Sequence, residues 1–148
     1  MPKIFTSETQ KTGEIGENIA VKFLVKQGFL IKERNYTKKW GEIDIIAEKN
    51  EKLFFIEVKS VSSADANLRY AEGFGKARAL ADKREIDNYR PEDNMHPWKL
   101  KRLARTIQTY LLSNKVPDEK EWQVDLLVVF LSLKDKKARV KVVSDIIL

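Results

Sequence analysis

Asp44, Glu57 and Lys59 are the residues of this 148-residue chain whose types and spacing could do chemistry. Glu57 and Lys59 lie two apart in the apolar run Phe54-Phe55-Ile56-Glu57-Val58-Lys59, so in a strand they point the same way while Ile56 and Val58 point the other. Asp44 sits in a second such run, Gly41-Glu42-Ile43-Asp44-Ile45-Ile46, where Ile43 and Ile45 are expected on one face and Glu42 and Asp44 on the opposite one. If the two runs form a hairpin turning on Asn50-Glu51, Asp44 falls across from Glu57 and Glu42 across from Lys59. Two facing carboxylates destabilise a sheet; at about 5 Å and an effective dielectric near 20 the repulsion is about 3 kcal/mol. A divalent cation turns that liability into a binding site, and hard oxygen donors favour Mg²⁺ or Mn²⁺. With no cysteine and one histidine, His96, a conventional zinc site is excluded. The plain alternative is a solvated hairpin face carrying mixed charges, against which stands the strongly apolar flank of both runs.

Several elements must position these residues. Ile15, Ile19, Ala20, Phe23 and Leu24 recur at helical spacing and predict a helix over Thr12–Gln27, closed by Gly28 and followed by a strand from Phe29. The hairpin strands are expected over Gly41–Glu48 and Lys52–Ser60. Residues 62–97 carry Gly73, Gly75, Pro91 and Pro97 and no sustained strand pattern. They read as a long loop, a lid or a partly disordered connection, with a short helix over Lys76–Asn88. A further helix is expected over Trp98–Asn114, with Leu100, Leu103, Ala104, Ile107 and Leu111 on its apolar face. Strands then follow over Gln123–Leu133 and Ala138–Ile147, joined by the charged turn at 134–137. The expectation is one α/β domain over residues 1–148, in the order α-β-β-β-(long connection)-α-β-β.

Lys and Arg total 28 against 22 acidic residues, a formal charge of +6 that suits a polyanionic partner such as nucleic acid. A lysine-rich soluble surface would give the same count. No apolar run approaches a bilayer span, and the first ten residues hold no secretory h-region, so no membrane partner and a cytoplasmic location are expected.

The order aspartate, then glutamate-x-lysine on the next strand, is similar to the PD-(D/E)xK nuclease signature. More closely, the chain resembles the YraN-type, functionally uncharacterised family of restriction-endonuclease-like proteins. The resemblance runs through Thr12-Gly13, Gly16-Glu17, Ala20, Phe23-Leu24, Gly28-Phe29 and Arg34-Asn35-Tyr36, then Gly41 to Ala47 and Phe55 to Lys59. It continues in Lys101-Arg102-Leu103, Tyr110-Leu111 and Val124-Asp125. It implies a restriction-endonuclease-like mixed central sheet flanked by helices, similar to archaeal Holliday-junction resolvases, and a metal-dependent endonuclease acting on nucleic acid, DNA above all, as a homodimer. By that likeness Glu17 approaches the metal held by Asp44, Glu57 and the Val58 carbonyl. Lys59 then orients the attacking water, and Glu42 positions the lysine. Two departures bear on substrate choice. Val61 stands where the family has a basic residue, and the 62–97 connection is longer than usual.

Other roles stay open at this level. Glu17 is equally an acid favoring a helix N-terminus. Lys99, Lys101, Arg102 and Arg105 could hold a phosphate backbone or form only a solvated helix face. Trp40 and Tyr36 could stack on an unpaired base, with core packing the commoner use. His96 reads as a loop residue. Two rival functions are a nucleic-acid-binding module that does not cut and an adaptor that docks a partner through residues 62–97. The first predicts binding with little metal dependence; the second predicts no tight DNA affinity.

Overall fold

The computed structural model describes residues 8–62, 96–132 and 135–148; the short helix expected over Lys76–Asn88 lies outside them. Along the chain run α1 (Glu8–Lys26), β1 (Leu30–Lys38), β2 (Gly41–Lys49), β3 (Lys52–Ser62), α2 (Pro97–Ser113), β4 (Trp122–Ser132) and β5 (Lys137–Val143). The strands form one mixed sheet in the order β1-β2-β3-β4-β5. The first three make an antiparallel meander, β4 lies parallel to β3, and β5 is antiparallel to β4. A parallel neighbour cannot be reached by a tight turn, so the chain between β3 and β4 has to cross over, and α2 belongs to that crossover. No helix among the described residues is long and apolar enough to cross a membrane.

The β2–β3 hairpin turns on Asn50 and Glu51, both left-handed with φ of 52° and 64°. Two such residues give the turn whose twist matches the flanking strands. Its ladder runs from Lys49↔Lys52 to Ile45↔Ile56 in the expected register, and stops short of the expected pairs Asp44↔Glu57 and Glu42↔Lys59.

Helix α1 begins a turn earlier than its apolar periodicity suggested, at Glu8, and ends as expected before Gly28. Gly28 has φ +94°, and the Phe29 N–H reaches back to the Leu24 carbonyl at 2.9 Å, which closes the helix in a left-handed cap. The buried face differs from the expected one. Ala20 and Leu24 are buried, but Ile15 is 42% exposed. The reason lies at Gly16, where a Cβ would stand 1.8 Å from Ser60 Oγ and 2.9 Å from Ser60 Cβ. The helix backbone rests on β3 along Gly16, Ala20 and Leu24, and that ridge leaves Ile15 to one side.

The face of α2 is rotated in a similar way. Leu103, Thr106, Ile107 and Tyr110 are buried, whereas Leu100, Ala104 and Leu111 are only half-buried. Again a glycine sets the phase. A Cβ on Gly41 would lie 2.7 Å from Thr106 Oγ1 and 3.2 Å from the Arg102 carbonyl. The buried Thr106 hydroxyl is satisfied within its own helix, donating to that carbonyl at 2.8 Å.

The helices cover opposite faces of the sheet. Ala20 and Leu24 pack with Ile45, Ala47, Ile56, Leu127, Val129 and Leu131. On the other side Leu103, Ile107 and Tyr110 pack with Tyr36, Ile43, Ile46, Leu53, Phe55 and Val124. Strand β5 stops at Val143, short of the expected Ile147. Asp145, at φ 56°, turns the chain so that its N–H meets the Asp125 carboxylate at 3.0 Å and the Ile146 N–H meets the Val124 carbonyl at 2.7 Å. Asp125 also accepts from the Gln123 side chain at 2.7 Å, which accounts for its burial.

Replacing Gly16 by alanine inside a free helix stabilises it by about 1 kcal/mol. In this protein we expect the opposite sign, a net loss of about 1 to 3 kcal/mol from overpacking against Ser60, read by urea denaturation. Unchanged or raised stability would mean that α1 does not rest on β3 at this point.

Candidate active site

Strand β3 carries the site on the face that α2 covers. Phe55 belongs to the α2-side core and Ile56 to the α1-side core, so Glu57 and Lys59 follow Phe55 by alternation. Strand β2 does not alternate so simply. Ile43 and Ile45 were expected to share a face, but Ile43 packs on the α2 side and Ile45 on the α1 side. The slip falls at Asp44. Its neighbour across β1 is Asn35, held at φ 53° between the pairs Arg34↔Ile45 and Tyr36↔Ile43, and a left-handed residue there rotates the local pleat.

The same place ends the main-chain ladder between β2 and β3, whose last pair is Ile45↔Ile56. Carboxylates take over from carbonyls beyond it. The Val58 N–H donates to Asp44 Oδ2 at 2.8 Å, and the Asp44 backbone is hydrogen-bonded to the Glu57 carboxylate. Asp44 is half-buried and Glu57 is 8% exposed, with Oε1 of Glu57 buried and lacking any hydrogen-bond partner.

Both acids titrate above their ordinary range. Burial pushes Asp44 up to about 6, helped by the charges of Glu17 and Glu42 and opposed by the Val58 N–H and by Lys99. Burial, then repulsion from Asp44, pushes Glu57 up to about 8, opposed by Lys99 and the Asp44 backbone. The charge of Lys99 does not offset that burial, so the pair loses its protons only with difficulty, and its oxygens are of the hard type that suits a divalent cation. The residues fit such an ion as a carboxylate pair rather than a closed cage. No group of three or more His, Cys, Asp or Glu side chains able to hold a metal occurs among the described residues.

Asp44, Glu57, Val58 and Lys59 open into a cavity of about 630 Å³. Lys38, Lys99 and Arg102 line it as well, together with Glu42, Thr37, Gly41, Trp98 and Leu103. Acids from the hairpin and cations from the start of α2 thus meet across one open space.

The other expected site residues divide. Glu42 and Lys59 share the cavity lining. Glu17 is close enough for its charge to raise Asp44, yet it does not line the cavity. Its Oε1 lies 3.5 Å from Arg34 Nη2 without a hydrogen bond, while Arg34 donates to Asn18 Oδ1 at 2.9 Å. Of the four basic residues on α2, Lys99 and Arg102 line the cavity and Lys101 and Arg105 do not. Arg105 lies over the Trp40 ring at 4.5 Å, and Arg102 Nε also donates to the Trp40 carbonyl at 2.8 Å. Tyr36 is buried edge-on against Tyr110, so it and Trp40 take the packing role. His96 caps α2 without a side-chain hydrogen bond. Sequence reasoning missed Thr37, Lys38 and Trp98. Trp98 was within reach, because Trp98, Lys99 and Arg102 follow one another on one side of the helix start.

Comparison with known proteins places the chain among relatives of the same length. The family model described as "Uncharacterised protein family UPF0102" matches residues 16–143. A UPF0102 protein of Campylobacter jejuni subsp. doylei is 35% identical over 117 residues, covering 79% of this chain and 81% of the relative. One from Flavobacterium psychrophilum is 32% identical over 131 residues, covering 88% and 90%. One from Sulfurovum sp. is 35% identical over 130 residues, covering 87% and 86%.

Because both carboxyl groups titrate higher in the folded chain, the folded state binds more protons than the unfolded one between about pH 4 and about pH 8. Stability without metal should therefore fall as the pH rises through that window, by about 1.4 kcal/mol per unit for each proton of difference. Mg²⁺ or Mn²⁺ should restore it at the alkaline end, and Glu57→Gln should flatten the slope and remove the cation response. Thermal melts at about pH 5 and about pH 9, with EDTA or millimolar cation, read all three; a slope and cation response unchanged in Glu57→Gln would contradict the assignment.

Proposed function

Starting from the premise that the chain belongs to the uncharacterised protein family UPF0102, we propose that it is a Mg²⁺- or Mn²⁺-dependent endonuclease that hydrolyses phosphodiester bonds in DNA of branched or otherwise irregular structure. The observation that carries this reading is the pair of half-buried Asp44 and buried Glu57 opening, with Lys59, into a cavity that Lys99 and Arg102 also line. A pure binding surface for a polyanion gains nothing from two carboxylates in its groove. A site that hydrolyses phosphodiesters needs them to hold a cation. The five-stranded mixed sheet with a helix on each face is in keeping with a restriction-endonuclease-like core.

In this reading Asp44 and Glu57 would hold the cation as a pair, with the Val58 carbonyl as a further oxygen donor. Glu17 bears on the pair through its charge, which raises Asp44, while its Oε1 lies 3.5 Å from Arg34 Nη2 outside the cavity lining. Such an ion, when bound, would supply Lewis-acid polarisation of the scissile phosphate and a water molecule of lowered pKa. The Lys59 ammonium, exposed on the same face as Glu57, directs that water and balances charge developing on the phosphoryl oxygens. Glu42, which lines the same cavity, would help to position Lys59. Water adds to phosphorus, one P–O ester bond breaks, and the products are a phosphomonoester and a hydroxyl end. Lys38, Lys99 and Arg102 hold the flanking phosphates without reading sequence.

Labelled junction, flap, duplex and single-stranded DNA, incubated with Mg²⁺ or Mn²⁺, should be cut by the wild type and protected by EDTA. Asp44→Asn and Lys59→Ala should each lower the rate by about 100-fold or more while remaining folded. If no DNA is cut with either ion and salt-sensitive binding persists in all three proteins, the chain is a non-catalytic binding module instead.

A further inference from the structure

Trp98 is 58% exposed and lines the cavity that holds the carboxylate pair. The other aromatic side chains of that corner are already engaged. Tyr36 is buried against Tyr110, and Trp40 is covered by the Arg105 guanidinium. Among the described residues the partners of Trp98 are more distant: the His96 ring, parallel to within 7° at 6.4 Å between centroids, and the Arg102 guanidinium over the indole at 5.8 Å. Lys99, the next residue along α2, is the cation whose charge both Asp44 and Glu57 feel. One end of a single helix thus offers a stacking surface, a phosphate-binding ammonium and a guanidinium in consecutive positions along the cavity lining.

We propose that Trp98 stacks on an unpaired base next to the scissile phosphate, and so selects DNA in which that nucleotide is not base-paired. The proposal rests on the nuclease reading for the location of the scissile phosphate. Phosphates held by Lys99 and Arg102 leave the attached base to be accommodated, and the indole is the apolar surface beside them. A base inside a duplex is already stacked on its neighbours, and taking it out costs a few kcal/mol. A base that is already unpaired carries no such cost and gains the full stacking contact. The discrimination comes from the state of the base, not from its identity, because every base has a π face.

The test measures anisotropy of labelled DNA in EDTA, so that binding is read without cutting. A duplex with a short unpaired tract is compared with the same duplex fully paired. Trp98→Ala should weaken binding to the unpaired tract by about 5- to 100-fold. Affinity for the paired duplex should stay within about twofold, and Trp98→Phe should restore most of the loss. An abasic nucleotide at one position of the tract should weaken the wild type comparably and add nothing to Trp98→Ala. Equal losses on both DNAs, no loss, or additive effects at every abasic position would overturn the stacking role. Cutting assays on the same proteins separate it from the reading beneath it. A wild type that cuts but shows no Trp98-dependent preference removes only the stacking role. A wild type that binds with that preference and never cuts upholds it and removes the nuclease. One that neither binds nor cuts overturns both.

Discussion

A carboxylate in the place of a carbonyl is the interaction on which the arrangement turns. Where β2 and β3 part after Ile45↔Ile56, the Val58 N–H would be an unpaired donor inside the sheet, and Asp44 supplies the acceptor. Leaving such a donor unmade costs about 1 to 3 kcal/mol. The side chain that fills the gap therefore stabilises the sheet and at the same time brings a negative charge within reach of Glu57. Structure and chemistry are joined in the same bond. The electrostatic strain is tolerable only because the two acids can share protons or a cation.

Two glycines then set what surrounds the pair. Gly16 lets α1 touch β3 at Ser60, which brings Glu17 near enough to be felt by Asp44 from the other side of the sheet. Gly41 lets α2 touch β2 at Thr106 and Arg102, which places Lys99 and Arg102 at the cavity. Neither contact is strong in itself. In both a glycine backbone lies directly against a short side chain of the neighbouring element, so the helices have little freedom to slide relative to the acids.

Much of this was legible in the sequence, for identifiable reasons. The turn at Asn50-Glu51 fixed the hairpin register because loop length and strand parity leave one solution, and Gly28 marked the end of α1 because it must adopt a positive φ. What was not legible came from tertiary contact. Strict alternation put Ile43 and Ile45 together, whereas Asn35 on the neighbouring strand turns the pleat between them. Helical periodicity favoured Ile15 and Leu100 over Gly16 and Thr106, because a periodicity argument counts apolar side chains and a close backbone approach has none to count. The split of the basic residues on α2 depended on the same rotation. The chain belongs to the uncharacterised protein family UPF0102, whose model spans residues 16–143.

The parallel pairing of β3 with β4 has a consequence for how the molecule comes into being. Each of its pairs, from Leu53↔Trp122 to Ser62↔Leu131, joins residues about 70 positions apart, whereas α1, β1, β2 and β3 are linked by short turns. During synthesis the acids emerge with the local meander, well before the residues that answer them. A chain that has left the ribosome only as far as Ser62 carries Asp44 and Glu57 but neither Lys99 nor Arg102. The hairpin's tip, with its apolar ladder, can close early, while the end that holds the acids meets Lys99 and Arg102 only when α2 docks. The order of translation thus keeps Lys99 and Arg102 apart from the acidic pair until the sheet is complete.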